Sequence, residues 1–144
     1  MTGQGTDPET RLKEGAEILL RTLQPCGFTF RIRRRGSGGS GGASAEGWFI
    51  SGNKRLELHF RWSLGLVTYH VGDRRLGHED YMRSLRVRHE AAYPGFSEQP
   101  LAAFEHLSSD LTRYCQDFLL GDGKEVARFA DEIAANPAKF KGLP

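Results

Sequence analysis

The stretch Lys54-Arg55-Leu56-Glu57-Leu58-His59-Phe60-Arg61-Trp62-Ser63-Leu64-Gly65-Leu66-Val67-Thr68-Tyr69-His70-Val71-Gly72 decides the fold. Leu56, Leu58, Phe60 and Trp62 alternate with Arg55, Glu57, His59 and Arg61, the period of a strand with one face buried and the other wet. Past Ser63, the residues Val67, Tyr69 and Val71 alternate in the same way with Thr68 and His70. A turn centred on Leu64-Gly65 would set Trp62 opposite Val67, Phe60 opposite Tyr69 and Leu58 opposite Val71, all apolar and all on one face. The other face would then pair Arg61 with Thr68 and His59 with His70. A one-residue slip mixes the two sets, so pattern and turn agree on this register.

Toward the N-terminus, Gly52-Asn53 is compatible with the positive dihedrals of a tight hairpin. A strand is expected over 46–51, with Trp48 and Ile50 on one face and Phe49 on the other. Before it, Gly36-Ser37-Gly38-Gly39-Ser40-Gly41-Gly42 carries too much backbone entropy for a packed element. Phe28, Phe30 and Ile32 alternate with Thr29, Arg31 and Arg33 in a strand that ends at Arg35. Asp7-Pro8-Glu9 opens a helix, with an oxygen acceptor at the cap, proline where no donor is required and an acid near the positive dipole end. Leu12, Ala16, Leu19 and Leu23 give it an apolar stripe over about 8–24, and Pro25 with Gly27 stops it.

Toward the C-terminus, His78-Glu79-Asp80 opens a short helix. Tyr93-Pro94-Gly95-Phe96 is a turn, and Ser97 caps a long helix striped by Leu101, Phe104, Leu107, Leu111 and Phe118 and ended by Gly121. A last helix starts at Asp122, with Glu125 completing a capping box, and runs to Asn136-Pro137. Short links between strands require antiparallel neighbours. The order therefore predicts an α+β fold: an N-terminal helix, a four-stranded antiparallel meander, and C-terminal helices packed on one face of the sheet.

With 144 residues and 38% hydrophobic content, one core and a single domain spanning 1–144 are expected. Residues 1–7 are expected as a flexible N-terminus and 36–44 as a flexible Gly/Ser loop inside the domain. No apolar run approaches the roughly 20 residues of a membrane span, and the start lacks the basic and apolar regions of a signal peptide. A soluble cytoplasmic protein is expected. Cys26 and Cys115 match no zinc spacing and make no disulfide framework, so reduced thiols are expected.

The formal charge of +2 is unevenly spread. Residues 31–61 carry seven basic groups against Glu46 and Glu57, and the flanks are mildly acidic. The Gly/Ser loop lacks the Lys-Ser/Thr ending of a phosphate cradle. His59, His70 and Glu57 share a face, and His78 with Glu79 or Asp80 stands nearby in sequence. Their spacing is that of no metal motif, so they are expected as polar groups of a sheet face, with no metal, no cofactor and no catalytic residue. His78 reads as a helix entry. Neither cysteine has a neighbouring acid-base pair, and no nucleophile elbow exists.

The ligand-binding candidates are Arg31, Arg33, Arg35, Phe49, Glu57, His59, Arg61 and His70, with guanidinium forks suited to carboxylate or phosphate. This architecture is shared by small adaptor, chaperone-like and immunity-like proteins. The expectation is a non-enzymatic domain that recognises a protein partner of acidic character through this basic sheet face. Nucleic acid bound by the Arg-rich strand is the first alternative, a metal-dependent enzyme using the sheet-face histidines the second, and no membrane contact is expected.

Overall fold

A computed structural model describes residues 8–37, 43–61, 63–93, 99 and 101–135. Helix α1 (Pro8–Leu23) is followed by a short 3-10 turn (Gln24–Cys26) and strands β1 (Thr29–Ser37), β2 (Ala43–Ser51), β3 (Lys54–Phe60), β4 (Leu64–Val71) and β5 (Arg74–Gly77). Four helices close the chain: α2 (His78–Ser84), α3 (Ala102–Tyr114), α4 (Gln116–Leu120) and α5 (Lys124–Ala135). The strands form one antiparallel meander in the order β1-β2-β3-β4-β5, with the helices packed against it. The α+β class stands, with five strands where four were expected.

The fifth strand escapes the pattern because Arg74-Arg75-Leu76-Gly77 is four residues long with one buried apolar side chain, Leu76. It turns back through Gly72-Asp73, with Gly72 at φ 62°. The Gly52-Asn53 turn is found where expected, with Gly52 at φ 60°. These two turns lie at the same end of the sheet, where the Gly72 amide donates to the Asn53 carbonyl at 2.9 Å.

The central hairpin keeps its faces but not its register. Leu58 pairs with Val67, Leu56 with Tyr69 and Lys54 with Val71, four residues away from the expected pairing. The connection is not Leu64-Gly65 but residues 61–63, where Arg61 donates to the Ser63 carbonyl, and an irregularity between Leu58 and Phe60 absorbs the odd residue. An even shift returns each apolar residue to the same side of the pleat, so alternation alone does not distinguish these registers. Trp62, one of the expected partners, lies outside the described residues.

Phe49 corrects a second expectation. It is fully buried between Phe30 and Leu56 on the core face, and Trp48 lies on the opposite face with Glu57 as its β3 partner. The run Trp48-Phe49-Ile50 is apolar throughout, so its alternation is silent. Gly47 lies on the core side of β2, where an added Cβ would meet the Phe30 ring at 2.7 Å.

The core gathers Phe28, Phe49, Phe60, Tyr69, Phe104 and Phe118 with the leucines of α1 and α3. The long helix expected from its Ser97 cap to Gly121 is broken at Cys115 (φ −107°, ψ 35°), and α4 restarts beyond it, setting Phe118 against the rings of Phe28 and Tyr69 at 5.5 and 5.0 Å. No glycine or proline marks that break. Asp122 accepts from the Lys124 amide at 3.1 Å, while Asp117 rather than a capping box takes the Glu125 amide at 2.9 Å. The loop expected over 36–44 is shorter than its glycines suggest, because Gly36 and Ser37 extend β1 past Arg35 and pair with Ser44 and Ala43 of β2. Residues 38–42, and the expected features at Asp7, Ser97, Pro94 to Phe96, Asn136-Pro137 and the N-terminal seven residues, lie outside the described residues.

Lys54 does not join the basic face. It lies on the core side of β3, and its Nζ donates to the carbonyls of Phe118 and Gly121, both at 2.7 Å, at the end of α4. Burial lowers its pKa, partly offset by Cys26, Asp117 and Asp122.

Candidate functional site

Antiparallel register builds rows of side chains across the outer face of the sheet. One row runs Arg31, Trp48, Glu57, Thr68 and Gly77 from β1 to β5. The next runs Thr29, Ile50, Arg55, His70 and Arg75. At their centre the Trp48 ring packs against the Arg55 guanidinium at 4.9 Å and the His70 imidazole at 5.0 Å. Arg31 and Arg75 are exposed on either side.

Glu57 is the hub of this face. The Nε2–H of His59 donates to one carboxylate oxygen at 2.5 Å and that of His70 to the other at 2.7 Å. The two histidines are not cross-strand partners, because His70 faces Arg55 and His59 faces Glu46. The carboxylate between them makes the link that direct pairing does not. Burial alone would raise the Glu57 carboxyl, but the hydrogen bonds from His59 and His70 outweigh it and hold the group below the usual carboxylate range. Glu46 completes the cluster: its Oε2 accepts from the Trp48 indole N–H at 2.8 Å, and its Oε1 lies 3.9 Å from His59 Nε2.

The expected arginine stripe is only partly realised. A bulge between Ile32 and Arg34 interrupts β1, so that Arg34 pairs with Glu46 and Arg35 with Ala45, and the alternation begun at Arg31 does not run unbroken. The side chains of Arg33 and Arg35 lie outside the described residues. Arg61 falls in the β3–β4 connection rather than on β3, and it lines a cleft of about 320 Å³ with Ser44, Glu46, His59 and Ser63. Trp48, Glu46, Arg55 and Arg75 were not singled out from sequence. The signal for Trp48 lay in the Gly47 beside it, which fixes the core side of β2.

A second polar cluster lies in the core. His78 heads α2 as expected but is 4% exposed, and its Nε2–H donates to Asp110 Oδ2 at 3.0 Å while Nδ1 accepts from the Tyr69 hydroxyl at 2.7 Å. Asp110 also accepts the backbone amides of Ala92 and Tyr93 at 2.7 and 2.8 Å. Burial would raise its carboxyl, yet the bonds from His78 and the two amides hold it below its ordinary range. Cys115 Sγ is 3.6 Å from the Tyr69 hydroxyl, and burial pushes its thiol up to about 12. Both imidazole nitrogens and both carboxylate oxygens are engaged, so this cluster ties α2, α3 and residues 92–93 to the sheet. His78 therefore does not converge with His59 and His70, which lie on the other face. Asp110 was legible as an acid within the apolar stripe, adjacent to Leu111 and three residues after Leu107.

The free half of β4 is also engaged: the Tyr93 hydroxyl donates to the carbonyls of Leu64 and Gly65. Among the described residues no helix is long and apolar enough to cross a membrane. The fold is an α+β domain whose antiparallel meander carries the Glu57 cluster on its outer side and the His78–Asp110 cluster on its inner side. The chain matches no protein-family model, no curated protein and no solved structure.

Proposed function

We propose that the chain is a non-enzymatic binding domain, and that its outer sheet face recognises a protein segment combining an apolar anchor with acidic side chains. The observation that carries this reading is half-buried Ile50 beside the buried Trp48 ring, bordered by half-buried Arg55 and exposed Arg31 and Arg75 in two adjacent cross-strand rows. Aromatic and arginine side chains combined in this way are the groups that dominate protein interfaces. Guanidinium groups at the border suit carboxylates, which they bind in bidentate fashion. The reading places the domain in the cytoplasm, where Cys26 and Cys115, both free thiols, stay reduced.

Affinity capture with the wild-type chain and an Arg31→Glu/Arg55→Glu variant, each with and without nuclease, tests it. Proteins retained after nuclease and lost with the variant are the expected result. Partners that disappear with nuclease alone would replace this reading with nucleic-acid binding, and partners indifferent to the variant would place the interface elsewhere. Arg31→Glu alone leaves thermal stability within about 0.5 kcal/mol, as surface substitutions do.

A further inference from the structure

The geometry points to a zinc-class divalent metal site on the outer face, formed by Glu46, Glu57 and His59. Two adjacent strands contribute: β2 gives Glu46, and β3 gives Glu57 and His59 two residues apart on one face. Donor atoms of Glu46, Glu57 and His59 all lie within 4.8 Å of one another. His70, on β4, stands outside this group and orients Glu57 by holding its other carboxylate oxygen at 2.7 Å.

A tetrahedral zinc ion with bonds of about 2.0–2.1 Å holds its donors roughly 3.3 Å apart. The His59–Glu57 and His59–Glu46 separations of 2.5 and 3.9 Å bracket that distance, so small rotations about side-chain bonds would admit the ion. Two carboxylates and one neutral imidazole together carry the charge that one divalent cation neutralises. The mixture of nitrogen and oxygen donors suits zinc and its neighbours, whereas calcium and magnesium favour oxygen alone.

The surroundings are those of an oriented ligand set. The Trp48 indole N–H holds Glu46 Oε2 and leaves Oε1 toward His59, the outer-shell support that metal-binding carboxylates receive. The Glu46, Glu57 and His70 side chains are 13, 17 and 12% exposed, while that of His59 is 40% exposed and borders the cleft beside Arg61. The ion would enter from that side, where a water could fill an open position. For His59 to ligate through Nε2, its proton moves to Nδ1 and the ring stays neutral; a doubly protonated ring offers no lone pair, which makes uptake weaker at lower pH. The site stands independently of the partner-binding reading, since metal uptake is measured on the isolated chain.

Untagged protein, stripped with chelator, is titrated with zinc chloride by calorimetry and by thermal shift at pH 7.5. One zinc per chain and a raised melting temperature are expected, with neither magnesium nor calcium producing a shift. His59→Ala and Glu57→Gln each weaken zinc binding at least tenfold, and His89→Ala, on the exposed surface away from the cluster, leaves it unchanged. Glu46→Gln serves as the second variant, because its amide oxygen still accepts the indole N–H while the charge is lost; it also weakens binding. Cobalt substitution adds a spectroscopic reading, with visible bands expected for a low-coordinate nitrogen and oxygen ligand set. Absence of one-to-one zinc binding overturns the proposal. So does zinc binding that survives the His59 and Glu57 substitutions or is lost with His89→Ala.

Discussion

Replacing Asp110 tests the buried polar cluster most sharply. Its side chain is 1% exposed and accepts three hydrogen bonds, from His78 Nε2 and from the Ala92 and Tyr93 amides. Asp110→Ala strands all three donors. A buried donor without a partner costs about 1–3 kcal/mol, and the half-buried Ala92 amide recovers water more readily than the other two, so a loss of about 3–4 kcal/mol follows. Against a domain stability of about 5–15 kcal/mol that is a large share, and it lowers the melting temperature by roughly 10–15 °C. Asp110→Asn keeps the volume and one acceptor but turns an NH2 group toward a donor, for a loss of about 1–2 kcal/mol. The carboxyl is held below its ordinary range in the fold, so its contribution is complete above the unfolded value of about 4 and disappears as pH falls through the lower folded value. The wild type therefore loses stability below about pH 4 by an increment that Asp110→Asn lacks. Urea unfolding of the three proteins from pH 3 to 7 measures both effects, with Glu57→Gln as the parallel control for the other depressed carboxyl. A cost under about 1 kcal/mol for alanine, or an acid limb unchanged in the asparagine variant, would refute the reasoning.

Lys54→Met removes the ammonium that caps the carbonyls of Phe118 and Gly121, and because it also relieves a buried charge the net loss is only about 1–2 kcal/mol by urea unfolding. Gly15→Ala should destabilise despite a helix-propensity gain of about 1 kcal/mol, because its new methyl runs into the buried Phe104 ring; Phe104→Leu in the same chain should relieve the clash in a double-mutant cycle. Thiol titration at pH 8 should find half-buried Cys26 reactive and Cys115 silent until the protein unfolds, since the latter is fully buried with its thiol pushed up to about 12.

Local chemistry carried most of the architecture. Pro8 and Gly27 mark the limits of the first helical segment and its 3-10 extension, and Gly52-Asn53 makes the tight turn its composition requires. The faces of β3 and β4 follow from alternation alone. What alternation leaves undetermined is any shift by an even number of residues, and the β3–β4 pairing differs from expectation by such a shift. The consequence reaches the site: with His70 opposite Arg55, the Glu57 carboxylate is placed to meet both imidazoles, which no direct His59–His70 pairing would show. Glu46 joins only through the β2–β3 register, and Trp48 only once the core side of β2 is known. The break at Cys115 has no breaker residue; packing of Phe118 between Phe28 and Tyr69 imposes it.

Tyr69 and His70 are neighbours on β4, and the pleat sends them to opposite sides, into two clusters that each combine imidazole with carboxylate. Their chemistry diverges because of what remains unsatisfied. Inside, His78 uses both nitrogens and Asp110 both oxygens, and both side chains are almost wholly buried; such a network fixes a unique packing of α2 and α3 on the sheet. Outside, Glu57 is shared by two imidazoles, Glu46 keeps one oxygen away from its indole partner, and His59 opens to the cleft. A cation can take the place of the His59–Glu57 hydrogen bond there, the imidazole proton moving to Nδ1 on the side open to the cleft, without leaving a buried donor stranded. The same substitution at His78 would break the hydrogen bond to Asp110 or that to Tyr69. Position relative to the core, rather than residue type, thus separates a cluster that holds the fold from one that can exchange a ligand.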